Sequence, residues 1–104
     1  MRLEIDGEAT VNSPTAYDVR DILQQLKPSG PMWAVLDIRS DYYIQARAVE
    51  DEMFVVEYRE GGADRHYKAA GMQPGPAVVA AFLDYLASGN RWRTAFEWRR
   101  VEQP

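Results

Sequence analysis

Hydrophobic and polar residues alternate with a period of two through the centre of the chain, between residues 33 and 69. Successive side chains of a β-strand point to opposite faces of a sheet, so this alternation predicts strands. The predicted strands cover residues 33–39, 43–49, 53–60 and 65–69; in the first, Ala34, Leu36 and Ile38 face one side, and Trp33, Val35 and Asp37 face the other. Their connections are short and contain Ser40-Asp41, Glu50-Asp51-Glu52 and Gly61-Gly62, so neighbouring strands are expected to run antiparallel.

Two other segments carry apolar residues at helical spacing. The first is predicted over 14–26, with Ser13 as N-cap and Pro14 at the first helical position. The second is predicted over 76–88, where Pro76 opens the helix and Ser88-Gly89-Asn90 ends it. Its predicted apolar stripe consists of Val78, Val79, Phe82, Leu83 and Leu86.

Shorter strands are predicted at both ends of the chain. Residues 1–6 alternate, with room for a return strand at Val11, and the alternation over 92–100 favours a final strand. The predicted order is β-α-β-β-β-β-α-β. We therefore expect a single α+β domain over residues 1–104, with a mostly antiparallel sheet of five or six strands and two helices packed on one face.

Composition narrows the classes of function. The 104 residues include no cysteine, which excludes disulfides and thiolate metal sites. The net charge of −4 disfavours a generic nucleic-acid binder and favours a basic partner. The start of the chain lacks an apolar signal region, and the longest apolar run, 77–83, is too short to cross a bilayer. We expect a cytoplasmic protein that does not interact with membranes.

The residues suited to catalysis are sparse. His66 is the only histidine, and as a general base it would need an acid such as Glu57 or Asp64 and a nucleophile. The serines lie at predicted turns and caps, so we expect no enzyme, although a small hydrolase centred on His66 is an alternative. Carboxylate spacing and glycine-rich segments match no metal site or nucleotide fingerprint, so no metal or cofactor is expected.

Arginine and tryptophan are interleaved near the C-terminus, in Arg91-Trp92-Arg93 and Trp98-Arg99-Arg100. Aromatic stacking combined with cations is how single-stranded nucleic acid is bound, which makes such a module a second alternative. Large aromatic side chains are usually buried, however, and we favour Trp92 and Trp98 as core residues.

The solvent-facing side of the predicted sheet is the main candidate for function. Alternation places Tyr43, Gln45 and Arg47 together on one strand, and Glu57 and Arg59 on the next. The third strand contributes either Arg65 and Tyr67 or His66 and Lys68. Tyrosine and arginine are frequent in binding hot spots, while ordinary cross-strand pairing is the other interpretation. The predicted binding residues are Tyr43, Gln45, Glu57, Arg59 and His66; the acidic turn Glu50-Asp51-Glu52 is the alternative surface.

These residues also carry a resemblance. The motifs are 43–46, 56–61, His66-Tyr67, Phe82 with Tyr85, Trp92 and 96–98. Over Leu3 to Val101 the chain resembles small bacterial immunity proteins that are encoded beside polymorphic or contact-dependent toxins. The resemblance implies a cytoplasmic protein that neutralises a toxin domain by binding it, and it assigns no catalytic residue. A protein partner is therefore expected and nucleic acid is not; an exposed sheet edge leaves a homodimer open.

Overall fold

An antiparallel sheet and the helices on one of its faces form the two layers of the fold, in a computed structural model that describes residues 1–7 and 10–102. The strands are β1 (Arg2–Ile5), β2 (Thr10–Asn12), β3 (Trp33–Arg39), β4 (Tyr42–Glu50), β5 (Met53–Glu60), β6 (His66–Ala69), β7 (Gln73–Pro74) and β8 (Trp98–Arg100). The helices are α1 (Ala16–Gln25), α2 (Gly75–Leu86) and the short α3 (Trp92–Ala95). None of the helices in these residues is long and apolar enough to cross a membrane.

The strand order is β2-β1-β3-β4-β5-β6-β8, and every neighbouring pair is antiparallel. The two-residue β7 pairs with the start of β5. This confirms the predicted α+β class and the antiparallel sheet. The sheet has more strands than predicted: β2 is the return strand at Val11 for which the sequence left room, and β7 is too short to produce a recognisable alternation.

The alternation in β4 and β5 sorts their side chains as predicted. Ile44, Ala46 and Val56 are fully buried with residues of both long helices, whereas the side chains between them stay partly exposed. Ile38 is an exception, because the prediction placed it on the buried side and it is 49% exposed. The register between β3 and β4 shifts between Asp37 and Arg39, and this bulge removes Ile38 from the buried row.

Helix α1 begins two residues later than predicted. Thr15, not Ser13, is the N-cap: its hydroxyl accepts from the Asp18 N–H at 3.1 Å, and Asp18 accepts from the Thr15 N–H at 2.8 Å. This reciprocal capping box satisfies two backbone donors, which neither Ser13 nor Pro14 would do. Ser13 instead has a positive φ of 51°.

Helix α2 packs on the sheet and on α1 through Val78, Ala81, Phe82 and Tyr85. The predicted stripe was correct for Val78 and Phe82. Val79, Leu83 and Leu86 are only partly buried and lie at the margins of the core. Hydrophobicity alone does not identify the buried face, because the small Ala81 and the amphipathic Tyr85 occupy positions nearer its centre.

The segment after α2 forms a helical turn before its strand, which corrects the prediction of one strand over 92–100. The Asp84 carboxylate accepts from the Trp92 N–H at 3.0 Å and fixes the start of α3. A Cβ at Gly89 would overlap that carboxylate, so glycine is required beside it. Strand β8 then covers only the last three residues of the predicted range.

Aromatic rings fill the core where β5, β6, β8 and α3 meet. The Tyr58 ring stacks on Tyr67 at 4.9 Å and meets Trp92 and Trp98 edge-on at 4.8 and 4.7 Å. Trp92 is only 3% exposed, and the half-buried Trp98 donates its indole N–H to the Trp92 carbonyl at 3.3 Å. Both tryptophans are therefore core residues, as we favoured. Burial raises the pKa of the neighbouring Tyr85 to about 12, so its hydroxyl stays neutral.

Candidate binding surface

The face of the sheet that points away from the helices is the candidate site, and we call it the outer face. Helices α1 and α2 pack on the opposite face, and none of the described helices covers this one. Its side chains alternate with the buried ones along each strand. The outer face consists of Arg2, Glu4, Trp33, Val35, Asp37, Tyr43, Gln45, Arg47, Val55, Glu57, Arg59, His66, Lys68 and Arg99.

The strand register brings the five predicted binding residues together on this face. Tyr43 lies directly opposite Arg59, which in turn lies opposite His66, while Gln45 lies opposite Glu57. Of the two alternatives for the third strand, the structure shows the second: His66 and Lys68 lie on the outer face. The Gly61-Gly62 turn alone did not predict this register, because residues Ala63–Arg65 form a 3-10 turn that lengthens the connection.

Direct contacts hold part of this cluster in place. A His66 Nε2–Glu57 Oε1 hydrogen bond measures 2.8 Å, and the two side chains are 18% and 21% exposed. The Tyr43 ring meets the His66 ring edge-on at 6.2 Å. Arg59 donates from Nε to the Gly61 carbonyl at 2.9 Å. These side chains are therefore largely fixed before any ligand arrives.

Tyr43 supplies a neutral hydroxyl within the cluster. Burial against its neighbours raises the pKa of Tyr43 above its ordinary value, and the nearby Arg59 cation only partly offsets this. The hydroxyl is therefore protonated at neutral pH, where it can both donate and accept a hydrogen bond. A half-buried tyrosine with a polar end is well suited to contact with another protein.

One row of the outer face was missed as a binding element. Trp33, Arg47 and Val55 are directly opposite one another on β3, β4 and β5, and each is half-buried. The alternation had assigned Trp33 to the solvent side, but the relative register of β3 and β4 was needed to place it against Arg47. Tryptophan and arginine are among the residue types most enriched in binding hot spots.

Asp37 lies on the outer face of β3, directly opposite Arg2 of β1. It is 8% exposed, its Oδ2 accepts from Arg2 Nε at 3.1 Å, and Nη2 of the same guanidinium lies 3.1 Å from that oxygen in an ion pair. A buried carboxylate needs such a partner because it has lost its hydration. We therefore assign this pair a role in folding.

The His66–Glu57 contact provides two of the three groups that hydrolysis by a nucleophile needs. No serine, threonine or cysteine occurs on β4, β5 or β6, and neither side chain lines the grooves at Phe54, Lys27 or Ala95. Residues 1–7 and 10–102 also contain no group of three or more histidine, cysteine or carboxylate side chains suited to holding a metal ion. The arrangement is thus well suited to polar recognition.

The C-terminal arginines and tryptophans are dispersed over the fold. Arg93 covers the buried Trp92 ring at 4.3 Å and forms a forked pair with Glu60 at 2.7 and 2.6 Å. Arg99 lies on the outer face, whereas alternation turns Arg100 to the other side. Among the described residues, these side chains therefore do not form a continuous surface on which nucleic-acid bases could stack against exposed tryptophan rings.

Comparisons with known proteins give no family assignment. Family models, curated proteins and solved structures yielded no match. The function must therefore be argued from the outer face itself.

Proposed function

We propose that this protein is a non-enzymatic, cytoplasmic immunity protein that neutralises a bacterial toxin domain by binding it through the outer face. The observation that carries the proposal is the open sheet face, on which Trp33, Tyr43, Arg47 and Arg59 are partly buried by their neighbours yet uncovered by helices. The sequence resemblance to immunity proteins supplies the class of partner.

Preorganisation is the first argument for binding. An interface loses free energy when mobile side chains become ordered, at about 0.5–1.5 kcal/mol for each long side chain. Arg59 is already held by the Gly61 carbonyl and lies 3.7 Å from Asp41, and His66 is held by Glu57. These residues would therefore lose little further freedom on binding.

Size is the second argument. The molecule measures 30 × 28 × 26 Å between its Cα atoms. The area of one face of these dimensions is similar to the ~800 Å² that each partner contributes to a standard protein interface. A groove would be needed to enclose a small ligand, whereas an open sheet face is suited to another folded domain.

The test uses the product of the neighbouring gene, which the proposal expects to carry a toxin domain, produced together with this protein in a growth assay. Tyr43→Ala and Arg59→Ala should each reduce protection and weaken capture of the purified toxin domain. Tyr17→Ala and Arg20→Ala are matched controls, because both residues are exposed on α1, away from the outer face. Unchanged thermal unfolding must accompany the loss. Full protection by the outer-face variants would contradict the proposal, as would failure of the wild-type protein to bind that domain.

A small hydrolase remains the second candidate because of the 2.8 Å His66–Glu57 contact. His66→Gln separates the two functions, since an amide can still donate to Glu57 but cannot act as a general base. Binding without catalysis predicts that His66→Gln protects nearly as well as the wild type. Hydrolysis of the toxin or its product predicts that protection is lost while binding persists.

A further inference from the structure

A second surface lies at the end of the sheet, between the two long helices. A groove of about 550 Å³ separates the end of α1 from the start of α2, and its lining includes Leu23, Leu26, Phe54, Val78 and Val79. We call it the α1–α2 groove. A neighbouring groove of about 780 Å³ shares Gln24, Leu26 and Glu52 with it and continues past the β4–β5 turn. The two adjoin and form one depression. Leu23, Leu26, Phe54 and Val78 are at most 6% exposed, so its accessible apolar floor is formed mainly by the half-buried Val79 and the exposed Pro76.

The rim of this depression is acidic on the side of the β4–β5 turn and carries one cation, Lys27, beyond the end of α1. Asp51 and Glu52 line it from the β4–β5 turn and are exposed. On the other side α1 ends at Gln25, with no basic side chain in its last turn. The last carbonyls of a helix lack intrahelical partners and carry a partial negative charge. Lys27 is the one basic residue among the described lining residues of either groove.

The walls are fixed relative to each other. Glu52 has a positive φ of 61°, and its carbonyl accepts from the Gly75 N–H at 2.9 Å, which ties the turn to the start of α2. Leu26 leaves α1 in an extended conformation, so the helix does not continue across the opening. The depression therefore exists before a ligand binds.

We propose that the α1–α2 groove binds a protein segment in which an aliphatic side chain is flanked by lysine or arginine. The apolar floor accepts the aliphatic group, and charge complementarity with Asp51, Glu52 and the end of α1 selects the neighbouring cations. The two adjoining grooves extend from Val79 to Pro31, which favours a chain segment over a compact small molecule. This site is separate from the outer face and does not rest on the proposed function.

The test is an NMR titration of the isotopically labelled full chain with the capped hexapeptide Lys-Leu-Lys-Lys-Leu-Lys. We expect saturable shifts centred on the methyl groups of Val79, which is the most accessible methyl-bearing residue of the groove lining, with a Kd below about 1 mM. The same peptide with glutamate in place of lysine should produce no saturable shift. The double variant Asp51→Asn with Glu52→Gln should weaken binding by at least about fivefold.

Two controls keep the result interpretable. Asp64→Asn with Glu97→Gln changes the net charge equally at exposed sites outside the groove and should leave the Kd unchanged. Tyr43→Ala on the outer face should also leave it unchanged, so that loss of toxin binding and loss of groove binding are separable.

Several outcomes would overturn the inference. These are the absence of saturable shifts at the groove methyl groups, equal binding of the glutamate peptide, or shifts confined to the outer face. Equal shifts from spermine, which has no aliphatic side chain, would show that the apolar floor is irrelevant. Shifts of Val79 that depend on protein concentration alone would assign the groove to a second copy of the chain.

Discussion

Replacement of Phe82 by alanine tests the packing of α2 against the sheet. Phe82 is fully buried and is one of the largest side chains in the core. Removing a buried phenylalanine side chain costs about 3–5 kcal/mol, because apolar contact is lost and a cavity remains. Domains of this size are stable by roughly 5–15 kcal/mol, so the variant should lose a large share of its free energy of unfolding. Urea unfolding followed by circular dichroism and tryptophan fluorescence measures the difference.

The next residue, Leu83, provides a matched comparison on the same helix. It is only partly buried, so Leu83→Ala should cost about 1–2 kcal/mol. Ile38→Ala, at a position that is 49% exposed, should change stability by no more than about 0.5 kcal/mol. A cost below about 1.5 kcal/mol for Phe82→Ala, or a larger cost for Leu83→Ala, would refute the assignment of the buried face of α2.

Three further predictions concern local structure. Hydrogen bonding to Arg93 holds the pKa of Glu60 below its ordinary value, so the pair stabilises the fold above the unfolded pKa of about 4.3, and that stabilisation is lost as the pH falls. Arg93→Met should therefore cost about 0.5 kcal/mol at pH 7 and less near pH 3, measured by urea unfolding at both values. Gly89→Ala should destabilise by about 1–2 kcal/mol through overlap with the Asp84 carboxylate, and the cost should shrink in an Asp84→Ala background. Thr15→Ala should cost about 1 kcal/mol because the capping box is lost, measured by thermal unfolding.

Each of these has a contradicting result. An Arg93→Met cost that is equal at both pH values would show that the charge of Glu60 does not contribute to it. Additive costs in the Gly89 and Asp84 double variant would show that the two residues do not interact. A larger cost for Ser13→Ala than for Thr15→Ala would restore the N-cap that the sequence first suggested.

The central strands could be predicted because one face of each is buried, which imposes a period of two on β3, β4 and β5. Features that depend on tertiary contacts could not be predicted from the sequence. The bulge that exposes Ile38 follows from pairing between strands. The start of α3 depends on Asp84, eight residues earlier. The N-cap of α1 could have been predicted, since Thr15 and Asp18 have capping-box spacing. A serine followed by proline is also a common helix start, and this pattern favoured Ser13 instead.

The candidate site also has residues that could be placed from the sequence and residues that could not. Alternation was sufficient to place Tyr43, Gln45, Glu57 and Arg59 on one face of the sheet. It was not sufficient to choose the face of β6, because the register there depends on how residues 61–65 turn. The importance of Trp33 was missed for a related reason: its neighbours are on another strand.

The most direct test of the outer face as a binding surface is the affinity of the Trp33→Ala variant for the partner that the proposal expects, a toxin domain encoded beside the gene, measured by isothermal titration calorimetry. Trp33 lies in the row formed with Arg47 and Val55, and truncation of an aromatic hot spot costs 2 kcal/mol or more, which is roughly a 30-fold rise in Kd. Tyr17→Ala removes an exposed aromatic residue from α1 and should leave the Kd unchanged. Equal affinity of Trp33→Ala and the wild type, together with a weakened Tyr17→Ala variant, would move the binding surface to the helices and contradict the account.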